Sequence, residues 1–117
     1  MYRENKENYA AYFPHASDYI LHLEDGEAVG RLLLAREHKA WRVVSIAIAA
    51  AHRGKGLASE VMRECQQDCA NTGAELHLRV TQGNPAHRLY ERLGFQAVLD
   101  DGHAIEMVWR AGSTIEN

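Results

Sequence analysis

The segment that most restricts what this chain can fold into is Ile46-Ala47-Ile48-Ala49-Ala50-Ala51-His52-Arg53-Gly54-Lys55-Gly56-Leu57-Ala58. An alternating apolar run enters a basic, glycine-rich turn, and the apolar spacing then changes to that of a helix. Trp41 to Ala49 reads as a strand, with Val44, Ile46 and Ile48 as a bulky face and Ser45, Ala47 and Ala49 as a small one. Leu57 to Asn71 reads as an amphipathic helix stopped by Asn71-Thr72-Gly73, and Glu75 to Thr81 alternates as the next strand. Strand, helix and strand in that order form a βαβ unit, which requires two parallel strands in one sheet.

The turn is built to hold an anion. The first turn of a helix leaves about four N–H groups unpaired and carries about half a positive charge, so a phosphate accepts several hydrogen bonds there. Gly54 and Gly56 permit close backbone approach, and Arg53 and Lys55 add formal charge. The spacing is neither G-x-x-x-x-G-K-[ST] nor G-x-G-x-x-G, which weighs against nucleoside triphosphates and dinucleotides. The small side chains Ser45, Ala47 and Ala49 leave room along the strand for an extended ligand.

Around this unit the pattern is mostly antiparallel. Asp18 to Leu23 and Ala28 to Arg36 read as a hairpin about Glu24-Asp25-Gly26-Glu27, and Phe95 to Leu99 and Ala104 to Trp109 as a closing hairpin. Pro85 to Leu93 reads as a second helix, with Asn84 as N-cap, Pro85 first and Gly94 as its stop. Glu4 to Phe13 reads as a short helix ended by Pro14. Cys65 and Cys69 extend the apolar stripe of Leu57, Val61 and Met62, and read as buried thiols, not as metal or redox groups.

Composition sets the outer limits. The 117 residues fit a single domain, and 13 Lys+Arg against 16 Asp+Glu give a net charge of -3, which excludes a broad basic field for nucleic acid. No apolar run approaches the ~18 residues of a membrane span, and the first residues lack the apolar stretch of a secretory signal, so a cytoplasmic, non-membrane protein is expected. No metal site is expected.

Two segments together resemble the GNAT superfamily of acyl-CoA-dependent N-acetyltransferases, over about Tyr19 to Trp109. The family pattern [Q/R]-x-x-G-x-[G/A] is matched by Arg53-Gly54-Lys55-Gly56-Leu57-Ala58, and N-x-x-A-x-x-L-Y-x-x-x-G-F is close to Asn84 through Phe95, the Ala falling two places after Asn84 instead of three. The resemblance implies an α/β fold, with a mixed, mostly antiparallel sheet, a splayed parallel central strand pair and flanking helices. It implies acetyl-CoA as cosubstrate, with Ile46, Ala47 and Ile48 as pantetheine contacts and Arg53, Gly54, Lys55, Gly56, Leu57 and Ala58 as the pyrophosphate cradle. Asn84 would meet the cofactor arm, Arg92 a phosphate, and Tyr90 would act as general acid toward the thioester sulfur. The implied reaction is acetyl transfer to a primary amine by direct attack; the alternative is a noncatalytic acyl-CoA-binding or sensor domain.

The chain departs from the family in two places. Trp41 to Ala51 contains no Asp or Glu to serve as general base; Glu24, Glu75, His77 and Glu106 are titratable strand candidates, each equally readable as a solvent-facing residue, and none is singled out. Only 18 residues precede Tyr19, so the usual first strand and most of the first helical pair are expected to be missing. That would leave the Tyr19 strand with an open edge, which a homodimer would cover.

Overall fold

A computed structural model describes residues 2–4 and 16–112. Seven strands form one sheet in the order β1-β2-β3-β4-β5-β7-β6. They are β1 (Tyr2–Glu4), β2 (Ala16–His22), β3 (Ala28–Glu37), β4 (Ala40–Ile48), β5 (Glu75–Thr81), β6 (Gln96–Asp100) and β7 (Ala104–Trp109), with helices α1 (Leu57–Thr72) and α2 (Ala86–Arg92). Every neighbouring pair is antiparallel except β4 and β5. This is the α/β arrangement that the resemblance implied.

Two N-terminal expectations need correction. Glu4 is the last residue of a strand, and the rest of the expected helix to Phe13 lies outside the described residues. The first strand is present: β1 pairs with β2 through Tyr2↔Leu21, Arg3↔Ile20 and Glu4↔Tyr19. It covers the edge on which the homodimer expectation rested. Elsewhere β2 starts two residues earlier than read, and Phe95 is a buried residue ahead of β6.

The β4 and β5 ladder runs from Ala40↔Glu75 to Val43↔Leu78 and ends there, although both strands continue. A bulge lies at the same height on the other side of β4, where Leu33 pairs with Ser45 but Leu34 with Val43, so Val44 is inserted. One inserted residue reverses the side-chain phase of the strand. Trp41 and Val43 therefore share the main core with Ile46 and Ile48, while Val44 packs with Ala16, Leu33 and Ala35 on the opposite face. The sequence reading put Val44 with Ile46 and Ile48; the bulge overturns that phase.

Both helices cover the same face. Val61, Met62, Cys65 and Cys69 of α1 are fully buried with Leu76, Leu78 and Val80 of β5, each such side chain stabilising the fold by about 1.5–3 kcal/mol. Burial pushes both thiols up to about 12, which keeps them protonated and inert, in line with the sequence reading. Among the described residues the opposite face carries no helix. Its β4, β5 and β7 positions mix the polar Arg42, Glu75, His77, Arg79 and Glu106 with the apolar Val44 and Val108. No described helix is long and apolar enough to cross a membrane.

Gly30 of β3 sits opposite Ile48, and a Cβ there would lie 2.3 Å from the carbonyl oxygen of Ala47. The end of β4 is thus drawn closer to β3 than any side chain allows. Gly30→Ala is expected to push this end away and to cost about 1–3 kcal/mol in urea denaturation. At the far side of the sheet, the Asp101 carboxylate accepts the N–H groups of Ala104 and His103 and the Arg79 guanidinium, which hold it at about 2. A depressed carboxyl stabilises the fold above its unfolded value near 4, and that stabilisation is lost as pH falls through about 2. Asp101→Asn keeps an acceptor oxygen but does not titrate, so its melting temperature should fall less steeply than the wild type's between about pH 4 and pH 2.

Candidate active site

The turn read from sequence as an anion cradle lies at the end of β4. Ala49 donates its N–H to Val29 O at 2.7 Å, a 3-10 turn follows at Ala50–His52, and the chain enters α1 through Gly54 and Gly56 at φ +78° and +80°. A Cβ at either glycine would meet open space, so only the left-handed backbone demands glycine here. The first α-helical bond is Glu60 N–H to Gly56 O at 3.1 Å, and no side chain caps the N-terminus. The N–H groups of Leu57, Ala58 and Ser59 are therefore left for a ligand. They border a cavity of about 210 Å³ lined also by Ile48, His52, Arg53, Gly54, Gly56 and Leu89.

The predicted basic residues differ in their engagement. Arg53 folds back, its Nε donating to Ile48 O at 2.9 Å, while Lys55 is exposed. His52, which the sequence reading did not assign, bonds Glu27 through Nε2 at 3.0 Å and so ties the cradle to the β2–β3 turn. Ile46 and Ile48 face the helix side, and exposed Ala47 faces away. The small side chains thus do not line the cradle. Extended-ligand contacts from this strand must come from its backbone, which has no β5 partner after Val43.

The second segment places Asn84 and Tyr90 as a unit. Asn84 Oδ1 accepts the N–H of Ala86 at 2.9 Å and its carbonyl the N–H of His87 at 3.1 Å, so Asn84 caps α2 with Pro85 first, as read from sequence. Only the Asn84 amide nitrogen is left to meet a ligand, in a cavity of about 420 Å³ shared with Thr81 and Arg88. At the other end Gly94 N–H bonds Glu91 O and Phe95 N–H bonds Tyr90 O, both at 3.0 Å, and the Phe95 ring stands edge-on to Tyr90 at 5.9 Å. This is a Schellman stop with its apolar clasp, and it fixes the Tyr90 ring. The phenol is half-buried, which raises its pKa, and its hydroxyl makes no hydrogen bond among the described residues. Arg92 is exposed and lines neither cavity.

Sequence reasoning missed Gln66. It is buried on α1, and its Nε2 donates to Leu93 O at 2.8 Å, closing the end of α2 and locking the two helices together. Its position four residues after Met62 and three before Cys69, on the apolar stripe, was the available signal.

The titratable strand residues now separate. Glu106 is held by Arg42 at 2.9 Å and by Arg79 at 3.7 Å. Glu75 is held below the ordinary carboxylate range, first by Arg110 at 2.6 Å and then by His77 at 3.0 Å. Glu24 stands on the exposed β2–β3 turn beside a cavity of about 510 Å³ that it shares with Glu60 and Glu64. Among the described residues no group of three or more His, Cys, Asp or Glu is arranged to hold a metal ion.

The donors at α1, the left-handed glycines and the gap between β4 and β5 suit a diphosphate joined to an extended, amide-bearing arm. The sequence profile of the Acetyltransferase (GNAT) family matches residues 1–95. No curated protein matches the chain by sequence. Among solved structures it is similar to nourseothricin acetyltransferase, with 26% identity and a TM-score of 0.66 over 83% of this chain and 66% of that one. It is also similar to the PaiA N-acetyltransferase from Thermoplasma acidophilum in complex with coenzyme A, at 17% identity and TM-score 0.70, covering 80% of this chain and 59% of that one. A GNAT family acetyltransferase from Elizabethkingia anophelis with acetyl-CoA bound gives 14% identity and TM-score 0.71, covering 86% and 79%. The chain spans less than two thirds of the length of the first two. Profile and fold agree with the two motifs: the chain belongs to the GNAT acetyltransferase family.

Proposed function

We propose that this domain transfers an acetyl group from acetyl-CoA to a primary amine by direct attack, with Tyr90 as general acid. The observation that carries the reading is the meeting, at one cavity that Leu89 of α2 also lines, of an uncapped helix N-terminus and the end of β4, with Tyr90 next in sequence to Leu89 and its hydroxyl unpartnered among the described residues. Acetyl-CoA supplies an acyl group already activated as a thioester.

The chain's own residues bind and orient it. The N–H groups of Leu57, Ala58 and Ser59 take the pyrophosphate, together with the backbone at Gly54 and Gly56 and the charges of Arg53 and Lys55. Backbone groups of Ile46, Ala47 and Ile48 pair with the pantetheine amides as a further strand would, and a donor from the same unpaired stretch faces the oxygen on which negative charge develops. Asn84 offers its amide nitrogen to the arm from the other side, and Arg92 meets a CoA phosphate. Burial keeps Tyr90 protonated at neutral pH, the state needed to give a proton to the departing sulfur.

The test is release of CoA thiol, followed with DTNB, from acetyl-CoA and a panel of primary amines. Thiol release with at least one amine supports the reading; thermal stabilisation by acetyl-CoA without release for any of them makes the domain a noncatalytic acyl-CoA binder. Tyr90→Phe is expected to lower kcat about 10²-fold while changing the KM for acetyl-CoA little, in steady-state kinetics. Gly56→Ala forces a side chain into the left-handed region, so it should cost about 1–2 kcal/mol of stability and weaken acetyl-CoA binding in calorimetry.

A further inference from the structure

A buried polar side chain needs a partner, and the partner that Gln66 finds is the end of α2. Gln66 lies on the buried face of α1 at 8% exposure, among Met62, Cys65 and Cys69, and its Nε2 donates to Leu93 O at 2.8 Å. α2 has only seven residues, too few to hold a helix by its own bonds. Its stop satisfies two of its last carbonyls: Gly94 N–H bonds Glu91 O, and Phe95 N–H bonds Tyr90 O, both at 3.0 Å. The carbonyl of Leu93, one residue before the left-handed Gly94, is the one that α1 takes.

Leu93 is in turn tied to Tyr90. Its N–H bonds the carbonyls of Leu89 and Tyr90, both at 3.1 Å, and the Phe95 ring two residues on stands edge-on to Tyr90 at 5.9 Å. The Tyr90 hydroxyl makes no hydrogen bond among the described residues, so the phenol is aimed by the placement of its backbone and the packing of its ring. Gln66 itself lines a cavity of about 380 Å³ with Arg63 and Trp109, and lines neither cavity of the candidate site. Any effect it has on the chemistry therefore passes through α2.

We infer that Gln66 is a positioning residue for Tyr90: its amide fixes the last turn of α2 on α1, and so holds the phenol in register with the thioester that the α1 N-terminus anchors. The inference deepens the proposed acetyl transfer and rests on Tyr90 as its general acid. The cofactor is held at one helix and the acid stands on the other, so the reach between them is set by what joins the two helices. Proton transfer needs hydrogen-bond reach, and a misplacement of about 1 Å can cost about 10²-fold. Without the amide, Leu93 O faces an apolar side chain, and α2 settles by turning that carbonyl toward water. The main-chain bonds from Leu93 and Phe95 carry the movement to Tyr90. The acid's own contribution, about 10²-fold, is the ceiling on what the displacement can cost.

The experiment is a double-mutant cycle in steady-state kinetics, read as thiol release with an amine that the wild type acetylates. Gln66→Met keeps the bulk of the side chain and removes the donor; Gln66→Glu keeps its shape and sets an acceptor against Leu93 O. Each should lower kcat about 10-fold, while the KM for acetyl-CoA and its calorimetric affinity change less than about twofold, because the α1 N-terminus is untouched. In a Tyr90→Phe background the same substitutions should lower kcat less than about twofold, since no acid is left to misplace. A merely structural role lowers kcat equally in both backgrounds. That result, or an unchanged kcat in Gln66→Met and Gln66→Glu, overturns the role of Gln66 while Tyr90 stands as the acid. If Tyr90→Phe alone leaves kcat unchanged, the general-acid reading fails and the inference falls with it.

Discussion

The site depends on a pairing that stops. Among the described strands β4 and β5 are the one parallel pair, and their ladder ends at Val43↔Leu78 although β4 runs on to Ile48 and β5 to Thr81. β3 still holds β4 to its end, and β7 still holds β5. Each strand is therefore firmly supported on its outer side while its inner edge presents free N–H and C=O groups. Unpaired edges of this kind are normally a liability, and they persist where a ligand or another strand satisfies them. The bulge at Val44 marks the same height, where it turns the β4 side chains over just as the gap opens.

The two helices are placed against that gap by the chain itself. α1 follows β4 after eight residues (49–56), which the Ala49–Val29 bond, the 3-10 turn and the Arg53–Ile48 bond tie to the strand, so its unpaired N–H groups stay at the end of β4. α2 is short, and its placement comes from contacts at its two ends: Asn84 caps the start, while the Gly94 stop, the Tyr90–Phe95 ring contact and the Gln66 bond to Leu93 O fix the finish. Tyr90 lies inside this clasp, so the geometry of the proposed acid is set by main-chain bonds, which hold more firmly than a surface side-chain network. Gln66 makes the position of α2 depend on α1, and hence on the cradle.

What was legible in the sequence was what local chemistry encodes. The cradle, both glycine stops and the Asn84 cap each follow from a residue whose backbone preference or side-chain acceptor acts within a few positions. The Val44 phase was not legible, because a bulge between two valines leaves alternation looking intact for a stretch longer than the register it disrupts. The three-residue β1 was hidden for another reason: it is too short for periodicity, and its evidence lies in pairing with residues 15 to 19 positions on. The strand carboxylates and His77 could not be ranked, since what separates them is cross-strand company. Arg110 lies 35 positions from Glu75, and Arg42 lies 64 from Glu106.

The placement of charge also bears on the proposed acid. A group that must keep its proton gains from desolvation, and Tyr90 has it, packed against the core on the helix side. The ionic groups Arg42, Glu75, His77, Arg79 and Glu106 stand on the helix-free face, where they pair with one another and with Asp101 and Arg110. One layer of sheet thus lies between the phenol and these charges, and burial alone is the cause of its raised pKa.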